Sequence, residues 1–398
     1  MRIAMIAPYF PAPENTGGRI RMAQLARALA NTHEVELFAC GGEREVSEAQ
    51  RDGSLSIYAG HHVRGRKPGR YPFAWMAPER VRSASPVALV WDLARAHRAR
   101  PFDGVFVCHS YAMGLALPLG LAVVLDEHNV ESDYAAQTRL DAASARESER
   151  LRAWERMCWQ TARLVTCVSE TDAACVRESL GAQGTVAVVP NGVSLESVDF
   201  CTPSERASAG RRDVLFVGLM SHPPNERAAV WLVDKVFARV WRSVADARLV
   251  LCGRQPSATV QALAKSDPRI VVTGTVPSVR LFLQQARVVT VPLGHGAGSS
   301  LKSVEALASG AHVVSTPVGM RGISGTQPGL THAETDDPDA FADEIIRGFS
   351  QDISVLAALD AQALRAREVA RAYDWPTIGA RFAQLATEHW SQSAVRPR

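Results

Sequence analysis

Several features that would fix the class of this protein at once are missing from its sequence. There is no C-x-x-C spacing, and the seven cysteines (Cys40, Cys108, Cys158, Cys167, Cys175, Cys201 and Cys252) are scattered and odd in number. That argues against a disulfide framework or a cysteine-type zinc site and suits reduced core thiols in a cytosolic protein. No uncharged apolar run approaches the roughly 18 residues that a membrane span needs. The opening stretch MRIAMIAPYF is apolar, but Pro8 interrupts it and no cleavage site follows, so a first buried strand is expected and not a signal peptide. Neither sign of charge dominates: the net charge is +3, with no arginine-rich tail and no aromatic-basic RNA signature. A nucleic-acid partner is therefore not expected. No G-x-G-x-x-G follows the first strand, which disfavours a plain dinucleotide-binding dehydrogenase. The triplet Asp337-Pro338-Asp339 has the letters of a carboxylate pair for a metal, but Pro at a first helical position makes it a helix start. No metal site is expected.

What is present is an ordinary soluble composition, 46% apolar and 21% charged, in a chain of 398 residues. Single cores rarely grow past about 250–300 residues, so two domains are expected. The strand RIAMIA, a helix from about Arg19 to Ala30 and the strand VELFA make a βαβ opening and hence a parallel sheet. GVFVC, AVVLD, LVTCV and VAVVPNGV (residues 186–193) continue it, with an amphipathic helix over about 144–162. Residues 197–212 break the pattern and read as a linker. DVLFVG, RLVLCG, IVVTG, VVTVPL and HVVST then repeat the plan, and helices near 338–350 and 354–372 lead to YDWP and a last amphipathic helix. The expected fold is α/β, two doubly wound Rossmann-like domains facing across a cleft. The expected division is 1–200, 201–372 and a C-terminal helix, 373–398, packing back on the first domain.

Residues 61–100 carry nine basic residues (Arg64, Arg66, Lys67, Arg70, Arg80, Arg82, Arg95, Arg98 and Arg100) against Glu79 and Asp92. Tyr71, Phe73, Trp75 and Trp91 are interleaved with them. Basic residues among aromatics suit an anionic membrane surface, so a cytoplasmic protein in peripheral contact with the inner face of a membrane is expected. A solvated loop and helix is the plainer alternative.

The chemistry centres on 294–310, GHGAGSSLKSVEALASG. A Gly/Ser-rich run opens a short helix whose first N–H groups lack intrahelical partners, which makes an anion site. Gly296, Gly298, Ser299, Ser300 and Leu301 form its rim. Lys302 adds a positive charge within one turn, and Glu305, one turn on, can accept hydrogen bonds from hydroxyls. Anion cradle, cation and hydroxyl acceptor in that order suit a nucleoside diphosphate carrying a sugar. In the first half, Gly17 and Gly18 precede a helix and allow close backbone approach to a ligand. His109 follows the strand GVFVC, and Asp126 ends AVVLD with His128 just beyond it, at the sheet edge where ligands of open parallel sheets collect.

The ordered pieces resemble the family-four glycosyltransferases, which have the GT-B architecture and are mostly retaining. The resemblance covers nearly the whole chain: the Gly17–Gly18 loop, His109, VSETDAACV and VVPNGV, then LFVGLMSHPPN, LVLCGRQPS, VTGTVPSVRLFLQQARVVTVPL, GAGSSLKSVEALASGAHVVSTPVGMRGI and YDWP. It implies a nucleoside-diphosphate sugar as donor substrate, no cofactor, and a glycan, lipid-linked or small-molecule acceptor, with bacterial glycan biosynthesis such as exopolysaccharide assembly as the setting. It further implies retention at the sugar's C1, with the leaving phosphate helping to deprotonate the acceptor. Glu305 matches the glutamate that binds the donor ribose, Val276 the position whose backbone pairs with the base, and His109 a histidine near the donor sugar. Asp126 and His128 resemble a second polar position at that edge, and Arg19 is placed to meet an acceptor phosphate. Two departures stand out. Ala297 replaces the first glutamate of the family pair, with Ser300 where an arginine is common, and LMSHPPN replaces a loop that usually carries Arg and Lys. Lys302 is left as the main cation for the diphosphate, with Arg254 in reserve. A nucleotide-sugar epimerase and a non-catalytic donor-binding subunit are the alternatives.

Overall fold

The computed structural model describes residues 1–65, 78–84, 86–133, 142–181, 184–295 and 301–392. The chain forms two compact units, Met1–Asn191 with Trp375–Arg398, and Gly192–Asp374.

The first unit is built on seven parallel strands: β1 (Arg2–Ala7), β2 (Glu34–Cys40), β3 (Gly60–Arg64), β4 (Gly104–Cys108), β5 (Val123–Glu127), β6 (Leu164–Cys167) and β7 (Val186–Val188). Their order is β3-β2-β1-β4-β5-β6-β7. Residues Ile3 to Ala7 and Val105 to Cys108 are fully buried. This explains why these strands read as unbroken apolar runs: both faces of a parallel sheet are covered by helices. The helix Gly17–Ala30 starts at the glycine pair itself, capped by Thr16, two residues ahead of the sequence expectation. The strand expected to end in the Pro190-Asn191-Gly192 turn spans Val186–Val188, and Pro190 cannot donate to a ladder. The last helix, Trp375–Ser391, belongs to this unit. Gly379 lies against Ala28, the Phe382 ring meets Phe106 at 5.0 Å, and Trp390 covers Gly104.

The second unit has six parallel strands: β8 (Asp213–Val217), β9 (Arg248–Cys252), β10 (Ile270–Gly274), β11 (Val288–Val291), β12 (His312–Ser315) and β13 (Ala333–Glu334). Their order is β10-β9-β8-β11-β12-β13. Residues 197–212, read above as a linker, are part of this unit. Thr202 and Glu205 form a capping box on the helix Pro203–Ser208. Buried Arg206 donates to the carbonyls of Leu283, Ala286 and Ser309, each at 2.6 Å. The unit begins before residue 201 because Val193 N–H bonds to Tyr373 O at 2.8 Å and Leu195 N–H to Asp374 at 3.2 Å.

Both sheets share one topological feature. From β1 the chain steps outward to β2 and β3, then returns to β4 on the opposite side of β1; from β8 it does the same through β9, β10 and β11. Each unit therefore has a switch point beyond the C-terminal ends of its central strands, where such sheets bind ligands.

Candidate active site

In the second unit the switch point is filled by the loop after β8, the turn after β9 and the start of the helix Leu301–Ser309. Gly218 N–H bonds to Cys252 O at 3.0 Å and Met220 N–H to Arg254 O at 3.1 Å, which pins the first loop to the second. A Cβ on Gly253 would lie 1.7 Å from Gly218 O, so only glycine allows the ends of β8 and β9 to approach this closely. The loop then carries Asn225, buried near the start of the helix Pro223–Trp231. Its Nδ2 donates to Leu219 O at 2.9 Å, and its Oδ1 accepts from Lys302 Nζ at 2.6 Å.

Val304, Leu307 and Ala308 bury the sheet-facing side of the Leu301–Ser309 helix, leaving Lys302 and Glu305 half-buried beside the loop. Ser303 anchors the helix through Gly319 O at 2.6 Å. Lys302 also sits 5.4 Å from the centre of the Phe216 ring. Burial lowers the Lys302 ammonium to about 8 against the opposing pull of Glu305. Burial raises the Glu305 carboxyl to about 7, with Lys302 opposing. His222, next to them, is lowered by burial and then by the charge of Lys302. Val276 lies in the loop beyond β10, not within a strand. Arg254 follows the β9 turn. Gly296, Ala297, Gly298, Ser299 and Ser300 lie outside the described residues.

The switch point of the first unit gathers Gly17, Gly18, His109 and His128. A Cβ on Gly18 would lie 2.2 Å from the Tyr9 hydroxyl and 3.3 Å from His128 Nδ1, so the glycine makes room for both. His109 and His128 meet edge to face at 5.6 Å. His109 has φ +75°, a backbone state that a non-glycine residue holds only when its surroundings impose it. Those surroundings are explicit. The ring stacks on Tyr111 at 3.8 Å, Nε2 donates to Glu131 Oε1 at 3.2 Å, and the Tyr111 hydroxyl donates to Glu131 Oε2 at 2.6 Å. Burial disfavours the imidazolium, but the Glu131 carboxylate outweighs it and His109 is raised. Glu131 is brought down to about 2 by the same hydrogen bonds, against its own burial. Glu155 accepts from the backbone of Glu131 at 2.7 Å and Ser132 at 3.1 Å, and Glu127 accepts from Trp159 Nε1 at 2.9 Å.

The structure also gives the partners of Asp126 and Arg19. Asp126 is fully buried, with its carboxylate taken by Arg21 at 2.6 and 2.8 Å, Thr166 at 2.7 Å and His128 Nε2 at 3.3 Å, so it acts from beneath His128 and does not itself reach the surface. Arg19 is ion-paired with Glu45, which also accepts from Gly42 N–H. Asn225 and Glu131 were not singled out in the sequence. Asn225 lies within a loop noted only for what it lacks, and Glu131 is 22 residues from the histidine it holds.

Among the described residues no group of three His, Cys, Asp or Glu side chains is placed to hold a metal ion. Asp337 is the N-cap of the helix Pro338–Arg347, accepting from Ala340 N–H at 2.8 Å.

Comparison with known proteins decides the family. The family described as Glycosyltransferase Family 4 matches residues 16–197, and that described as Glycosyl transferases group 1 matches residues 211–351. The chain belongs to the family-four glycosyltransferases. Its fold is that of several solved structures over nearly its whole length. Sucrose-phosphate synthase from Thermosynechococcus elongatus superposes with a TM-score of 0.69 at 17% identity, over 98% of this chain and 100% of that one. A glycosyltransferase from Rickettsia africae gives 0.69 at 12% identity, over 100% and 99%. Anabaena HepE in complex with UDP gives 0.66 at 15%, over 98% and 100%. An uncharacterized 44.6 kDa protein in the cps region of Klebsiella pneumoniae is 30% identical over 149 residues, 36% of this chain and 38% of that protein. The match thus spans well under half the length of this curated relative. The GT-B glycosyltransferase fold is in place, and Lys302, Glu305 and Val276 all stand beyond the C-terminal ends of its second sheet.

Proposed function

We propose that the chain transfers a sugar from a nucleoside-diphosphate sugar to a glycan, lipid-linked or small-molecule acceptor, with retention and without a metal ion. The observation that carries this reading is the Asn225–Lys302 pair at the switch point of the second unit, one helical turn from Glu305. As the C1–O bond of the donor breaks, negative charge builds on the departing diphosphate. A fixed ammonium and the N–H groups of a helix start stabilise that charge without rearranging. Asn225 holds Lys302 toward the loop after β8, the loop in which other members of the family carry their own cations. Glu305 accepts from the ribose hydroxyls, and the backbone at Val276 meets the base. In the first unit His109, whose charged form Glu131 favours, is the second candidate for the transfer step, with Gly17, Gly18 and His128 at the same sheet edge.

UDP is the first nucleotide to test, since HepE, a protein of this fold, has been solved with it. A thermal-shift screen of UDP-, GDP- and TDP-sugars reads binding directly. A donor at about a thousand times its Kd adds roughly 4 kcal/mol of stability. Donor consumption with and without candidate acceptors then separates transfer from epimerisation and from binding alone. If no nucleotide stabilises the protein, the donor site is wrongly placed. If one binds but is never consumed, the chain is a binding subunit.

A further inference from the structure

The helix Val87–Ala99 packs one side into the first unit through buried Leu89, Asp92 and Leu93. Asp92 is its only acid, and it is turned inward, where its carboxylate takes both Nε and Nη2 of Arg64 at 2.6 and 2.9 Å. The opposite side presents Ala88, Trp91, Arg95 and Arg98, spaced three or four residues apart on one exposed face. Trp91 is 67% exposed, and among the described residues no other aromatic side chain is exposed to this degree. Arg98 carries no ion pair among the described residues, and neither does exposed Arg82 on the preceding helix, Glu79–Ala84, while Arg95 interacts with Asp92 through its charge without a close ion pair. Arg100, at the end of the same helix, drops out of this charge because it is paired with Glu34. The Leu117–Leu119 turn packs on the helix and leaves Leu117 39% exposed.

We propose that this face docks on an anionic lipid surface. An exposed indole with exposed arginines along one helix face, and no acid among them, matches the charge of such a surface. It also matches the level at which tryptophan settles, between headgroups and acyl chains. An apolar protein partner would leave the arginines desolvated and unpaired, which disfavours it. The contact is peripheral: no helix among the described residues is long and apolar enough to cross a membrane. This inference does not depend on the donor chemistry, and its readout is binding, not turnover.

The test is flotation of the full chain with phosphatidylcholine vesicles, with and without phosphatidylglycerol. The expected result is binding only to the anionic vesicles, fading as salt is raised from about 0.05 M to about 0.5 M, where the Debye length falls severalfold. Arg95→Ser with Arg98→Ser lowers the partition constant about thirtyfold, at about 1 kcal/mol for each basic residue near the surface. Trp91→Ala weakens binding to the anionic vesicles without changing its dependence on salt. Arg365→Ser, an exposed arginine of the second unit, leaves binding unchanged and controls for total charge. All of these side chains are exposed, and circular dichroism verifies that each variant is folded. The proposal is overturned if the wild-type chain ignores anionic vesicles at low salt, or if the double variant binds as well as wild type. Trp91-dependent self-association without vesicle binding overturns it too and makes the face a protein interface.

Discussion

Lys302 is a half-buried ammonium whose neighbours are an amide oxygen, a carboxyl and an aromatic face. Lys302→Ala is expected to reduce transfer by about 10²–10³, the range for loss of one preorganised donor, while circular dichroism shows the fold intact. The pH dependence has a definite sign. With the free ammonium lowered to about 8, nucleotide binding above that pH must first restore its proton. The Kd for the nucleoside diphosphate should rise about tenfold per pH unit above that point. Lys302→Arg keeps its charge throughout and should flatten the profile, which calorimetric titration between neutral and alkaline pH would read. Unchanged affinity across that range, or wild-type turnover in Lys302→Ala, would pass the role to Arg254. Glu305→Ala separates two other readings of the helix. As a ribose acceptor Glu305 is worth about 1.5–3 kcal/mol, a roughly ten- to hundredfold rise in Kd. As a mere helical neighbour of Lys302 it is worth a few tenths.

At the scale of elements, the glycine turn after β9 decides whether the two loops of the donor site can meet. Gly253→Ala would drive a methyl into Gly218 O. The loop from Gly218 to Asn225 must then shift and take the Lys302 partner with it. Nucleotide binding should fall at least as far as in Asn225→Ala, while hydrogen exchange in β11 and β12 stays slow; binding at wild-type strength would show that the turn is incidental. This geometry also marks how far the sequence could be read. Apolar runs such as Ile3–Ala7 and Val288–Val291 announce buried parallel strands because both their faces are covered, and the helix after the Gly/Ser run follows from its spacing. The capped helix Pro203–Ser208 reads as linker in the sequence because its anchor, Arg206, spends its donors on carbonyls up to 103 residues away. A strand end gives the position of Asp126 but not its partner Arg21, 105 residues away in the sequence. The pairs Asn225–Lys302 and His109–Glu131 are likewise tertiary facts, set by which loops the strand order brings together.

At the scale of the whole molecule, the chain leaves the first unit at Asn191 and returns to it only with Trp375. The last helix is thus a core element of the domain in which the chain began. Phe382 is fully buried against Phe106 of β4, and Trp390 covers Gly104 at the start of the same strand. Deleting a buried phenyl ring leaves a cavity and costs about 3–5 kcal/mol. For Phe382→Ala that loss should fall on one unit. Amides of β1, β4 and β5 should exchange faster, while those of β8, β9 and β11, which belong to a separate core, keep their protection. Nucleotide binding, proposed for the second unit, should survive in Phe382→Ala under conditions where the sheet of the first unit has lost its protection. Hydrogen exchange followed strand by strand, with UDP titrated into the same sample, checks both halves of this. Uniform loss of protection in both sheets, or loss of nucleotide affinity in step with β4, would mean that the two units fold as one and that the donor site draws on the first.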